Sequence, residues 1–537
     1  MNCVRPVPVA AGVVSGEPAR VPVREDGALR PRLPMPGWLR WLLPDVAMTV
    51  ACVTLFYCLF LFQGYQKLFR DSDTGWHIRT GEAILQTGRL PRTDPYSFTR
   101  EGSPWFAWEW AADAAMGAVH RAGGLGGVAL FYGVAIAAGA WLWFRLHWAM
   151  GGNFLLACAM APLMLSTCNI HWLARPHVIG WLFLLAAVWY AERPAGRSGW
   201  RGLAAVAVFT ALWANFHASF FLAPLLALIY AAGAAVRRAL WIDEPAPRAA
   251  WYLRAAAVSA LAGLANPYGW GLYVHVFDYL RNSELLGRIG EFQSFDFHAA
   301  GSGQILAALI IGMCGGALAL ERRRPELFAL AVVVTALGLR SARALPLVAL
   351  VLLPIANGAV TATLADAAAG LNRQWRSRLE AFLAYCRRLR AWDRRFHGLA
   401  LAPAAVCLCW GILQTPAVRA QTGFPPDQFP VAAYSHIPES ARLFAPDKFG
   451  GYLIYRSAGS RRVFFDGRSD LYGAEFLKQY GRLVQVRPGW LEVWNRYGFT
   501  HALLPHDAPL EAALEQAGWR PVYRDRTATL LAGGGVR

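Results

Sequence analysis

Asp71-Ser72-Asp73-Thr74-Gly75-Trp76-His77-Ile78-Arg79-Thr80-Gly81-Glu82-Ala83-Ile84-Leu85-Gln86-Thr87-Gly88-Arg89-Leu90-Pro91 is the stretch that decides how this chain is read. It follows an apolar run without a pause, so two carboxylates one residue apart stand at the hydrocarbon edge of a membrane helix. Behind them Trp76, Ile84 and Leu85 lie among polar residues over the length of another helix. Acids in that position are costly unless they bind a cation, pair with arginine or handle protons. The plainer role is N-capping, which Asp does well.

The rest of the chain supports a membrane setting. Of 537 residues, 56% are hydrophobic and only 16% are charged, where a soluble domain carries roughly a quarter charged residues. The apolar residues gather in runs of roughly 17–25, the length that spans a bilayer. The net charge of +18 does not point to nucleic acid, because the arginines cluster in short loops between apolar runs and no basic groove interleaved with aromatics occurs. That is the positive-inside pattern. Residues 1–40, rich in Pro and Arg, read as a disordered cytoplasmic tail, and the apolar core that begins near Asp45 is too long for a signal peptide. The nine cysteines show no CxxC spacing and read as free thiols rather than disulfides or zinc ligands.

Apolar runs and loop charges together predict a polytopic α-helical membrane protein of about eleven spans. These fall near 46–69, 124–146 and 153–170, then one running from the turn at Asn169–His177 in to Glu192, then near 202–214, 218–236, 254–265, three more before residue 366, and 398–415. With the N-terminus in the cytoplasm, Asp71 and Asp73 emerge outside, and an outer loop over 70–122 carries a second amphipathic run from Trp105 to His120. Basic segments at Glu192–Arg197, Glu321–Arg324 and 366–397 fall inside. The membrane domain covers 41–420. From 421 to 537 short strand candidates (Ala441–Phe444, Arg462–Phe465, Thr500–Leu504, Pro521–Tyr523, Ala528–Leu531) alternate with helices, predicting a small extracytoplasmic α/β domain.

Polar residues at the outer ends of several spans are the second signal. Asp71, Asp73, Arg175, His177, Asn215, His217, Glu291, Arg340 and Arg343 are all expected near one leaflet, with His77 and Glu109 in the outer loop. Each alone has a dull explanation as a snorkelling or capping residue. Together they are equipment for a cavity in which a carboxylate takes a proton or holds a divalent cation such as Mg or Mn. Arginines there suit a phosphate leaving group. Asp71 and Asp73 are the candidate ligands of such a cation.

The opening stretch, with Asp73, His77, Ile84-Leu85, Gly88 and Pro91 at nearly matching spacing, resembles the first loop of GT-C glycosyltransferases. The likeness is greatest to the aminoarabinose-transferase and protein O-mannosyltransferase branch. Ala174-Arg175-Pro176-His177, Trp213-Ala214-Asn215-Phe216-His217, Asn266-Pro267-Tyr268-Gly269 and Phe465–Gly473 are similar to segments of an uncharacterised bacterial subgroup. The chain departs from the pattern at Thr74, which stands where a second acid is usual, and Asp71 supplies one upstream instead. The resemblance implies inverting transfer from a polyprenyl-phosphate-linked sugar to a lipid, glycan or protein acceptor, on the outer face of a bacterial inner membrane. The essential acid carries over to Asp73, with Asp71 as the alternative. Arg175, Arg340 and Arg343 are assigned to the carrier phosphate on charge and sidedness alone.

In the C-terminal domain Val463–Gly473 places Asp466, Arg468, Asp470 and Tyr472 at a sheet edge, where they either contact substrate or brace the loop through an Asp–Arg pair. A polysaccharide polymerase or ligase acting on undecaprenyl-pyrophosphate substrates is the alternative function, and a transporter or non-catalytic scaffold is the third. Transport is disfavoured because the acids lie at helix ends rather than mid-span.

Overall fold

The structure, a computed structural model, describes residues 36–193, 199–241 and 249–533. The expected tail over 1–35 and Arg197 lie outside the described residues, and a short helix, Gly37–Leu42, falls at the end of the tail interval.

Among the described residues eleven bundle helices follow one another in the expected order, nine of them apolar. Four are long and apolar enough to cross a membrane by length and composition: Trp110–Ala149, Ala218–Leu240, Ser302–Glu321 and Ala342–Gly370. Val46–Phe60, Phe154–Asn169, His177–Ala191, Ala249–Ala262 and Leu401–Leu413 are shorter apolar helices, and Trp200–Phe216 and Pro325–Arg340 complete the bundle. The chain is a polytopic helical membrane protein with a small C-terminal sheet.

One difference from the sequence reading shapes the site. The first span ends at Phe60 rather than near 69, because Phe62 and Gln63 turn through positive φ of 52° and 58°. The chain therefore reaches Asp71 through a tight turn and a short Gly64–Lys67 helix. The amphipathic run before residue 120 and the span after 124 are two helices within Trp110–Ala149, as expected, separated by a non-helical Gly124 with φ 59°.

Asp73–Thr87 is helical as expected and stops at Gly88, which takes the left-handed C-terminal position with φ 65°. Its apolar face lies along the start of the Trp110 helix. Its first turn meets a C-terminal helix, Asp447–Arg456, which sequence periodicity did not reveal. A Cβ on Gly75 would sit 2.1 Å from the Gly451 carbonyl oxygen, and one on Gly451 equally close to that of Ser72. Gly450-Gly451, which has no Lys or GxGxxG frame to make a phosphate loop, thus serves close helix packing.

The C-terminal sheet has the order β1-β2-β4-β3, with β1 Leu443–Phe444, β2 His501–Pro505, β3 Arg520–Arg524 and β4 Ala528–Ala532. β1 pairs parallel with β2, and the other pairs are antiparallel. The expected strand Arg462–Phe465 is absent from it. Val463 instead bonds the outer loop, donating its N–H to the Tyr96 carbonyl at 2.9 Å and accepting from Phe98 N–H at 3.1 Å. That segment joins the two parts of the chain rather than extending the sheet.

Candidate active site

Where the Asp73 helix, the bundle and the C-terminal segment meet, they enclose a cavity of about 1910 Å³. Its centre is Arg175, which the turn before the His177–Ala191 helix presents to three carboxylates. One guanidinium nitrogen, Nη1, lies 2.6 Å from Asp71 Oδ2 and 3.3 Å from Glu291 Oε1, and Nη2 lies 2.8 Å from Asp73 Oδ2. Arg343 approaches the other Glu291 oxygen at 3.5 Å. Asp71 also caps the helix, accepting the Asp73 N–H through Oδ1 at 2.9 Å. Asp71 therefore both caps the helix and pairs with Arg175, whereas Asp73 has the charged role alone.

Asp73 is only 6% exposed. Burial, opposed by Arg175 and reinforced by Asp71, pushes its pKa up to about 7. Burial acts against ionisation of Glu291 too, but Arg175 and Arg343 outweigh it and hold the group at about 2. The two acids thus differ in kind: Glu291 is a fixed charge, and Asp73 is poised to gain or lose a proton near neutrality.

A second group lies beside the first. His77 Nδ1 is 2.6 Å from Asp113 Oδ1, and its Nε2 is 3.9 Å from Glu109. Glu109 also reaches His217 Nε2 at 3.3 Å. His217 Nδ1 is 2.6 Å from the Ser219 hydroxyl. Burial raises Glu109 to about 7, against the fields of Arg343 and Arg175. The indole of Trp76 stacks on His77 at 3.6 Å, and Trp105 and Trp108 add to the wall.

The C-terminal segment closes the site. Gly467 faces Asp73 so closely that a Cβ there would be 2.0 Å from Asp73 Oδ1. Its position is held by Arg468, 2% exposed, which donates to Asp466 at 2.7 and 2.8 Å and lies 2.8 Å from Asp94 of the outer loop. Tyr472 donates its hydroxyl to Asp466 at 2.9 Å. Asp466, Arg468 and Tyr472 are therefore bracing residues in this arrangement, as the internal-pair reading of that loop had it. Asp470 differs from them: it faces the cavity and pairs with His275 Nε2 at 3.1 Å.

The cavity brings together Asp71, Asp73, His77, Glu109, Arg175, His177, His217, Glu291, Arg340, Arg343 and Asp470. Asn215 is not on its wall. Its amide donates to the Ala211 and Ala265 carbonyls and its oxygen accepts from Trp110 Nε1, which ties helix ends together. His177 lines the cavity but bonds the His171 carbonyl at 2.9 Å. Arg340 has no ion-pair partner among the described residues and is exposed. Sequence reasoning passed over Asp113, Asp94 and His275. Asp113 carried a usable signal, being a lone acid between alanine pairs in an apolar run, whereas His275 sits in an unremarkable amphipathic helix.

The donor set between Asp71 and Asp73 suits a guanidinium, and Arg175 already bridges them. Among the described residues no three His, Cys, Asp or Glu side chains converge as metal ligands. The residues present do not fit a dedicated divalent-ion site, and no step is routed through one.

Below the arginines the cavity runs into an apolar groove. Leu184 of the His177–Ala191 helix, Leu222 and Leu225 of Leu222–Leu240, and Val333 and Leu337 of Pro325–Arg340 line it. Arg340 stands one turn beyond Leu337, where the groove meets the polar chamber.

Comparison of the sequence with protein-family models and with curated proteins finds no match to either. Comparison with solved structures finds matches, two of which follow. One is the oligosaccharyltransferase of Archaeoglobus fulgidus in its apo form, at TM-score 0.49 and 12% identity over 86% of this chain and 69% of that one. Another is ArnT from Cupriavidus metallidurans bound to undecaprenyl phosphate, at TM-score 0.44 and 15% identity over 93% of this chain and 98% of that one.

Proposed function

We propose that the protein is a membrane glycosyltransferase that moves a sugar from a polyprenyl-phosphate carrier to a cell-envelope acceptor outside the inner membrane. The observation that carries this reading is a buried carboxylate, Asp73, with a pKa of about 7, beside an arginine cluster at the junction of a polar chamber and an apolar groove. A groove of Leu and Val side chains suits an isoprenoid tail, and the arginines at its end suit a phosphate. Undecaprenyl phosphate, the ligand in the Cupriavidus structure, is a molecule of this class.

In the reaction the acceptor hydroxyl attacks the anomeric carbon of the donor. The new C–O bond forms as the bond from that carbon to the phosphate oxygen breaks, and Asp73 takes the hydroxyl proton. Arg343 and Arg340 receive the charge on the departing polyprenyl phosphate. Arg175 holds Asp73 in place through Oδ2. Asp71 and Glu291 in turn fix Arg175, so that its guanidinium is positioned before substrate arrives.

The test is transfer of radiolabelled sugar from polyprenyl-phosphate donors in membranes carrying wild-type or Asp73→Asn protein, with and without EDTA. Transfer that disappears in the variant supports the reading. Equal transfer by both proteins overturns the assignment of the base. Loss in EDTA restores a divalent ion at Asp71 and Asp73.

A further inference from the structure

Eleven arginines and lysines line the cavity against six acids. The acids are all engaged. Asp71, Asp73 and Glu291 meet Arg175, Glu109 meets His217, Asp470 meets His275, and Asp447 accepts the Tyr480 hydroxyl at 2.9 Å. Apart from Arg340, the surplus positive charge sits mainly on exposed side chains at the mouth.

The mouth has two walls. One is the Arg281–Arg288 segment that follows the Trp270–Arg281 helix, with its short Ser283–Leu286 turn packed against the Ser469–Val484 helix. The other is the end of that C-terminal helix and the chain beyond it, bearing Lys478, Arg482 and Arg487. Lys448, next to Asp447, stands on the same side of the chamber. Arg288 and Lys478 have only exposed partners close in sequence, Glu284 at 3.1 Å and Glu475 at 3.7 Å. Arg281, Lys448, Arg482 and Arg487 have no acidic partner within ion-pair distance among the described residues.

An ordinary protein surface intersperses the two signs. Here two separate segments turn same-sign side chains toward one aqueous opening, and only the exposed Glu284 and Glu475 pair with any of them. Such an arrangement raises the local concentration of an anion and steers it inward. Guanidinium groups dominate, and their planar fork matches phosphate oxygens. The carrier has its own route through the apolar groove, with Arg340 and Arg343 at its end.

We propose that this basic mouth is the acceptor entrance and that the acceptor carries phosphate groups, which the two walls grip while its hydroxyl is delivered to Asp73. The word acceptor rests on the glycosyltransferase reading, whereas the phosphate site does not. The phosphate belongs either to a lipid headgroup or to a water-soluble chain.

The test measures binding of radiolabelled inorganic pyrophosphate to the purified full-length protein in zwitterionic-lipid nanodiscs. Wild type is compared with a Lys478→Gln, Arg482→Gln, Arg487→Gln triple variant. An Arg373→Gln, Arg387→Gln, Arg388→Gln variant loses the same charge from a helix elsewhere. The expected result is binding that weakens with salt, falls roughly tenfold or more in the first variant and is unchanged in the second. No saturable binding by wild type, or equal binding by both triple variants, overturns the proposal. Phosphatidic acid in the nanodisc that displaces pyrophosphate assigns the site to a lipid phosphate, and failure to displace it assigns the site to a soluble one. Because the readout is binding, a failed transferase assay leaves this result standing, and the reverse also holds.

Discussion

Gly467→Ala reaches the reacting carboxylate without changing any charge. A Cβ at that position would lie 2.0 Å from Asp73 Oδ1, and real Cβ contacts do not fall under 3.0 Å. Something must therefore move by about 1 Å or more. The Gly467 loop is poorly able to yield, since Arg468 anchors it through Asp466 and Asp94 in a buried cluster. The Asp73 side chain is the softer partner, and swinging it away disturbs the 2.8 Å contact to Arg175. A misplacement of about 1 Å costs on the order of 100-fold in rate, which is about 2.7 kcal/mol of transition-state stabilisation. The assay is kcat/KM for sugar transfer in reconstituted vesicles. Gly481→Ala serves as the control, because a Cβ there has nothing within 4 Å. A thermal melt establishes that the Gly467 variant is folded. A folded Gly467→Ala protein with wild-type kcat/KM refutes the reasoning, and so does an equal loss in Gly481→Ala.

Other perturbations separate bracing from chemistry. Arg468→Met leaves Asp466 and Asp94 buried without their cation and should destabilise the fold by about 3–5 kcal/mol, seen as a lowered melting temperature; an unshifted melt contradicts the bracing role. Arg175→Lys keeps the charge but cannot bridge Asp71, Asp73 and Glu291 through a planar fork, and should lower kcat/KM on the order of 100-fold; wild-type kinetics would deny its positioning role. Transfer should persist in EDTA, since the cation between Asp71 and Asp73 is Arg175.

Much of this architecture is legible in the sequence because membrane spans announce themselves by length and polarity. The polar outliers at span ends were the informative residues, and most of them line one cavity. Helix breaks were less visible: positive φ at Phe62 and Gln63 has no glycine to mark it. The break at Gly124 was legible, because the polarity changes there and a glycine marks it. The Asp466–Tyr472 loop read evenly between contact and bracing, and the decision depends on Asp94, a partner more than 370 residues away in sequence that no local pattern names. Asn215 was misplaced for a similar reason, since its amide bonds go to carbonyls on two separate helix ends. Close approaches at Gly451 and Gly467 are equally silent, because what they avoid lies on another segment.

The most direct test of Asp73 as the proton acceptor is the pH dependence of label transfer by wild-type and Asp73→Asn protein between pH 5 and 9. With the pKa raised to about 7 by burial, the carboxylate is protonated and inactive below that value. The account predicts that kcat/KM climbs about tenfold per pH unit in the acid limb, levels off above pH 7, and is lost at every pH in the variant. A flat profile in wild type, or a variant that retains transfer across the range, would contradict it.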